Sequence, residues 1–317
     1  MDIRQLGALV AVADAGSFSG AANLLDTVQS NVSAHVKKLE NTLNVTLVDR
    51  ASCTLTSAGE IVVARARRAQ RELDALRADV LALQHEVAGT VRIGIIGTTA
   101  RWLVPQLLDV SPLRFPELRL VFVESTTTAL EAQLATGQVD VAVLNLHSSH
   151  DMLLTPLFEE ELVLVTSRDH PLARRGEISV AELDELPILL PRRGTAFRRE
   201  LDERVASVGV HLQPKAEVDG TRLIATLTFE GYGPAILPAT AVPRYLMDRW
   251  SIIHVKEIPK RLVGVAQRPQ TLPSAPVRAV LDMLTEIVFN AASLPPGLTA
   301  VPPDRVRPSV PPRQSPL

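Results

Sequence analysis

Hydrophobic positions along the chain change period twice, and the changes mark out its parts. Over the first 56 residues they recur at helical spacing. Leu6, Leu9, Val10 and Ala13 share one face of a first helix. After Gly16 a second helix opens near Ser19 with Ala21, Ala22, Leu24 and Leu25, and Asp26-Thr27 breaks it. A third opens near Val28 and carries Val32, Val36, Leu39 and Leu43. Two short extended pieces, Thr46–Arg50 and Thr54–Thr56, predict a small hairpin.

Residues 57–88 are the most regular. Val62, Ala66, Ala69, Leu73, Leu76, Val80, Leu83 and Val87 alternate steps of four and three, with charged residues on the other faces. Thr56 is the expected N-cap and Gly89 the expected end. A core-facing helix shows a broader stripe, so this seam favours pairing with a second copy over packing on its own domain.

From Val91 apolar strand-like runs alternate with helical stretches. The runs are Val91–Ile96, Leu118–Val123, Val139–Leu144, Leu162–Thr166, Pro187–Leu190, Ala235–Leu237, Ile252–Val255 and Leu262–Ala266. Helices are expected near 101–110, 128–136, 196–207, 222–230 and 277–291. The alternation predicts parallel sheets covered by helices, long enough for two lobes. Eight prolines crowd between Pro295 and Pro316, so residues 293–317 are expected to form a disordered tail, with partner docking as the sharper alternative.

Composition narrows the classes. The 317 residues are 46% hydrophobic and include one cysteine, which excludes an internal disulfide and a multi-cysteine metal site. The N-terminus lacks the basic head and apolar run of a secretory signal, and no apolar stretch spans a membrane, so a cytoplasmic chain is expected. The net charge of −2 gives no hint of a nucleic acid, but residues 29–71 differ. There Lys37, Lys38, Arg50, Arg65, Arg67, Arg68 and Arg71 oppose Glu40, Asp49 and Glu60, a net of +4. Phe18 is the only aromatic in the first 90 residues, which disfavours stacking on single strands and leaves duplex DNA.

The second and third helices have the spacing of a helix-turn-helix, whose second helix enters the major groove. With Val32, Val36, Leu39 and Leu43 facing inward, Gln29, Ser30, Ser33, Ala34 and Lys37 face outward; Gln can bond adenine, and Ser and Lys suit base edges and phosphates. A three-helix unit without DNA remains the plainer alternative. His147, His150 and Asp151 read as a polar loop rather than a metal site, Cys53 as an inert wing thiol, and Glu159-Glu160-Glu161 as a solvated face. No nucleophile motif, phosphate loop or catalytic pair occurs, so no enzyme and no cofactor is expected.

The stretch from Leu6 to Gly59 resembles the winged helix-turn-helix of LysR-type transcriptional regulators. It carries Leu6, Val12-Ala13, Gly16-Ser17-Phe18-Ser19, Ala21-Ala22, Leu24, Gln29, Val32-Ser33, Leu39-Glu40, Leu43, Leu47, Arg50, Leu55-Thr56 and Ala58-Gly59 without gaps. Val91-Arg92-Ile93-Gly94, Gly137 to Ala142, His170 to Ala173 and Gly231 to Pro238 match further landmarks. Val28, Ser30, Ala34, Asn44 and Val48 depart from the pattern.

The resemblance implies a DNA-binding domain over 1–58, a dimerising linker helix over 59–89 and a two-lobed α/β effector domain like a periplasmic binding protein over 90–292. Lobe I would take about 90–162 and 268–292, and lobe II about 163–267. It implies a dimer through the linker, joined into a tetramer, on a pseudo-palindromic DNA site, with RNA polymerase as a further partner. Arg50 would contact phosphate or the minor groove. A small-molecule-binding protein or enzyme using the two lobes without DNA is the alternative. A small effector would lie between the lobes. The residues support such a site: Thr98 and Thr99 follow the first strand, Ser125 the second, and Thr195 precedes a helix. Hydroxyls and free N–H groups suit a small organic anion, although each hydroxyl could merely be an N-cap.

Overall fold

The computed structural model describes residues 1–84, 86–146, 152–184, 186–242, 250–269, 272–290 and 294–302. Helices α1 (Ile3–Ala15), α2 (Phe18–Leu24) and α3 (Gln29–Leu43) precede a two-residue wing hairpin, β1 (Val48–Asp49) antiparallel to β2 (Thr54–Leu55). Asp2 caps α1 through a reciprocal pair with Gln5, and Ser17 caps α2. Val28 caps α3 with no side-chain hydrogen bond, which costs about 1 kcal/mol against a hydroxyl cap. Asn44 ends α3 in the left-handed conformation at φ +51°, which asparagine tolerates better than most residues.

Helix α4 (Ser57–Ala82) starts against the wing, with Thr56 as its cap. A Cβ at Gly59 would stand 2.1 Å from the Leu47 carbonyl oxygen, so only glycine permits this approach. The helix stops at Ala82, short of the expected 88; Gly89 instead opens a strand at φ +130°. Val87, counted in the seam, therefore lies beyond the helix.

The remaining chain forms two six-stranded sheets. Lobe I contains β3 (Gly89–Ile95), α5 (Gly97–Arg114), β4 (Leu118–Glu124), α6 (Thr127–Thr136), β5 (Val141–Asn145) and β6 (Leu153–Glu160). Lobe II contains β7 (Leu162–Ser167), β8 (Glu177–Ile178), β9 (Pro187–Pro191), α7 (Ala196–Ala206), β10 (Gln213–Val218), α8 (Thr221–Phe229), β11 (Ala235–Pro238) and β12 (Trp250–Val255). The chain then returns to lobe I through β13 (Arg261–Gln267), α9 (Ala275–Phe289) and β14 (Leu298–Ala300). Strand orders are β14-β6-β13-β5-β3-β4 and β10-β9-β11-β7-β12-β8.

Alternation along the strands builds the cores. In lobe II, Leu162, Leu164, Ile188, Leu190, Ile236 and Ile253 join one cluster, while Val163, Val165, Leu189, Ala235 and Leu237 join another. These sets point to opposite faces, so the sheet is covered on both sides.

Several expectations need correction. The sheets are mixed, not parallel: β13 runs antiparallel to β5 and β6, and β7 antiparallel to β11 and β12. Strand β13, placed in lobe II by the expected boundary at 267, is hydrogen-bonded inside the lobe I sheet. Glu160 is not on a solvated face; it is fully buried at the end of β6, directly opposite Arg261 of β13, with which it pairs. The Pro-rich segment is ordered at its start: Leu298–Ala300 pairs with Phe158–Glu160, and Val301 is buried. The rest of that segment from 303, and the group His147, His150 and Asp151, lie outside the described residues.

Candidate functional site

Two regions carry candidate chemistry. The first is the outer face of α3. Val32, Val36 and Leu39 are buried in the core that also holds Leu9, Val12 and Phe18, which turns the opposite face of the helix outward. Gln29, Ser30, Ala34 and Lys37 are exposed there, and Gln29 is the first helical residue. Ser33 is half-buried, and its hydroxyl accepts from Arg50 Nη1 at 2.9 Å.

Arg50 is less free than the sequence implies. Its Nη2 lies 3.4 Å from Glu40 Oε2, and its guanidinium sits over the Phe18 ring at 5.3 Å. Glu40 is buried and its Oε1 accepts from Leu47 N at 2.9 Å and Val48 N at 3.3 Å. One carboxylate thus fixes the chain leaving α3, the start of the wing and the arginine. Sequence reading missed Glu40 as this organiser, although it stands in the matched Leu39-Glu40 pair.

The linker helix has two faces. Leu73, Leu76, Val80 and Leu83 are exposed at steps of three, four and three. The other side is docked. Arg67 pairs with Asp14 of α1, and Arg71 donates to the Gly137 carbonyl of lobe I. Burial, followed by the nearby Arg268 charge, lowers the Arg71 pKa to about 10, so it stays cationic at neutral pH. Asp79 accepts from Ala275 N at 2.7 Å at the start of α9 and pairs with Arg278 at 3.3 Å. An acid at a helix N-terminus suits the positive end of the dipole.

The second region is a cleft of about 530 Å³ between the lobes. It is lined by the starts of α5, α6, α7 and α8, whose positive dipole ends favour an anion. Thr98, Ser125 and Thr195 line it. Thr99 does not: α5 begins at Gly97, so Thr99 sits 100° further round and is fully buried, its hydroxyl without a partner. Thr195 caps α7, whereas the cap of α6 is Thr126, not Ser125. Thr98 is no cap either; its hydroxyl accepts from Arg261 Nη2 at 3.0 Å.

Charged residues that the sequence did not single out complete the cleft. Arg222 of lobe II pairs with Glu124 of lobe I at 2.5 Å across it. Below, Arg261 Nε donates to Glu160 Oε2 at 2.6 Å. Glu160 Oε1 accepts from the Thr240 backbone at 2.7 Å and its hydroxyl at 2.5 Å, tying lobe II to the strands that cross between lobes. Among the described residues no group of three or more His, Cys, Asp or Glu could hold a metal, and no helix is long and apolar enough to cross a membrane.

Comparison with known proteins covers both parts of the chain. The model of the bacterial regulatory helix-turn-helix protein, lysR family, matches residues 3–60, and that of the LysR substrate binding domain matches 84–288. The DNA-binding transcriptional dual regulator OxyR of Escherichia coli strain K12 is 29% identical over 294 residues, covering 91% of this chain and 95% of that protein. A hydrogen peroxide-inducible genes activator of Pectobacterium carotovorum is 29% identical over 294 residues, 91% of this chain and 96% of its own. Among solved structures, a full-length cysteine-to-aspartate variant of OxyR from Pseudomonas aeruginosa has TM-score 0.75 at 26% identity, covering 94% of this chain and 98% of that one. CbnR, solved with its target DNA, shares the fold with TM-score 0.64 at 24% identity, covering 93% of this chain and 100% of its own. The chain belongs to the LysR family and is a DNA-binding transcriptional regulator with an effector-binding domain, not an enzyme.

Proposed function

We propose that two chains pair through the exposed seam of α4 and set their α3 helices on the two halves of a pseudo-palindromic duplex site. The observation that carries this is the division of α4: one side is docked on α1 and lobe I, and Leu73, Leu76, Val80 and Leu83 are left outside. Two such dimers join through their effector domains, and RNA polymerase reads the resulting DNA arrangement.

A small organic anion in the cleft is the switch. It binds the two assemblies with different affinity and shifts their populations. Several relatives are named hydrogen peroxide-inducible genes activators. Cys53, in the wing, is this chain's only cysteine, so an intrachain thiol–disulfide switch is closed to it.

Footprinting on the DNA upstream of its own gene, with and without a small carboxylate that raises the melting temperature, tests the reading. Two protected half-sites whose spacing or extent changes with ligand are expected. No specific protection in any genomic pool at low salt overturns the regulator reading. Unchanged ligand affinity in Thr98→Val and Thr195→Val overturns the cleft as the binding place.

A further inference from the structure

Two polar side chains lining the interlobe cleft have hydrogen-bonding capacity that the protein does not use. Arg261 is 6% exposed and lines the cleft. A guanidinium carries five N–H donors. Nε and Nη2 are engaged by Glu160 and Thr98, while Nη1, with two donors, has no protein partner among the described residues and is left to the solvent side of the cleft. Asn145, the last residue of β5, stands opposite Val263 of β13, two positions on from Arg261. It lines the same cleft, and its Oδ1 is buried with no partner. A buried acceptor left unmade, as at Asn145, is costly, and the open Arg261 donors lie in the same cleft.

The two groups ask for complementary chemistry: an acceptor, best charged, for Arg261 and a donor for Asn145. The charge balance limits the anion. Arg261 already faces Glu160, and Arg222 already faces Glu124. The cleft thus offers no unneutralised pair of cations for a dianion, and helix N-termini supply the remaining positive potential. Resting on the reading that an organic anion occupies this cleft, we propose that the effector is a small monocarboxylate bearing a hydroxyl or amino donor on the neighbouring carbon. The carboxylate lies on Arg261 Nη1 and the donor on Asn145 Oδ1. Arg261 selects for charge, and Asn145 rejects the analogue that lacks the donor, because its oxygen would stay desolvated and unpaired.

The test is calorimetric titration of the full chain with matched sets: L-lactate, L-alanine, propionate and lactamide, their homologues to six carbons, and inorganic phosphate. A hydroxy or amino carboxylate binding at least tenfold more tightly than both its donor-free counterpart and its amide is expected, and the lactate and alanine arms identify the donor. In Asn145→Ala the preference over the donor-free acid should disappear. Arg261→Gln alone would strand the Glu160 carboxylate, so the paired change Glu160→Gln with Arg261→Gln is used; there the preference over the amide should disappear. Donor-free acids binding as well as the others, phosphate binding more tightly than all of them, or variants that keep both preferences overturn this inference and leave the anion reading standing. No binding by any carboxylate or phosphate overturns both.

Discussion

Arg50 of the wing hydrogen-bonds Ser33 of α3 at 2.9 Å, so wing and recognition helix are joined before any DNA arrives. Part of the arginine's charge is already answered by Glu40. Lys37 is exposed on the same face. Lys37→Ala should weaken binding to all sequences and reduce the salt slope by about 1. Arg50→Ala should weaken all binding too, with a smaller change in slope, because Glu40 already answers part of its charge and the rest of the loss comes from releasing the wing. Gel shifts over a salt series measure both; a larger slope change for Arg50→Ala contradicts the buttressing role.

Gln29 is exposed at the start of α3, with no side-chain partner among the described residues. Gln29→Ala should cost about 1–3 kcal/mol on the specific site and leave non-specific affinity unchanged. Equal losses on operator and random DNA would remove glutamine from base recognition.

Glu160 is fully buried against Arg261 and also serves Thr240. Glu160→Ala should destabilise the chain by about 3–5 kcal/mol, since it leaves a buried guanidinium uncompensated. Replacing both charges, Glu160→Met with Arg261→Leu, should recover a large part of that loss. Denaturant unfolding of the three chains decides it; a double variant no better than the single shows that the pair is worth more than its burial costs.

Leu76 is 61% exposed and Val80 53% exposed on the seam of α4. Leu76→Glu with Val80→Glu should give monomers by light scattering, with helix content retained. Specific DNA affinity should fall far more than non-specific affinity, because two half-sites are no longer read together. Dimers that survive the change would move the interface elsewhere.

The residues made some of this legible and hid the rest. Val32, Val36 and Leu39 repeat at helical spacing, so α3 and its outer face could be read directly. Apolar runs such as Val141–Leu144 sit fully buried in their sheet and look like strands. Strand β6 does not, because Pro156 and two glutamates interrupt it, and β10 is an exposed edge containing Pro214, Lys215 and Glu217. The pairing of Glu160 with Arg261 spans 101 residues and leaves no local period. Its one sequence trace is an arginine heading an otherwise apolar strand. A helix expected from 101 hides the rotation between Thr98 and Thr99, because α5 starts four residues earlier, at Gly97.

Strand β14 covers the β6 edge of the lobe I sheet, leaving β4 at the other. A sheet with two open borders can add further copies indefinitely, and such growth ends in fibres or precipitate. Here one border is three residues long, with Pro295 and Pro296 before it and Pro302 after it, and proline offers no N–H to a newcomer. That border therefore offers few free backbone groups to a further strand. The C-terminal segment outside the family match blunts one edge of the lobe I sheet.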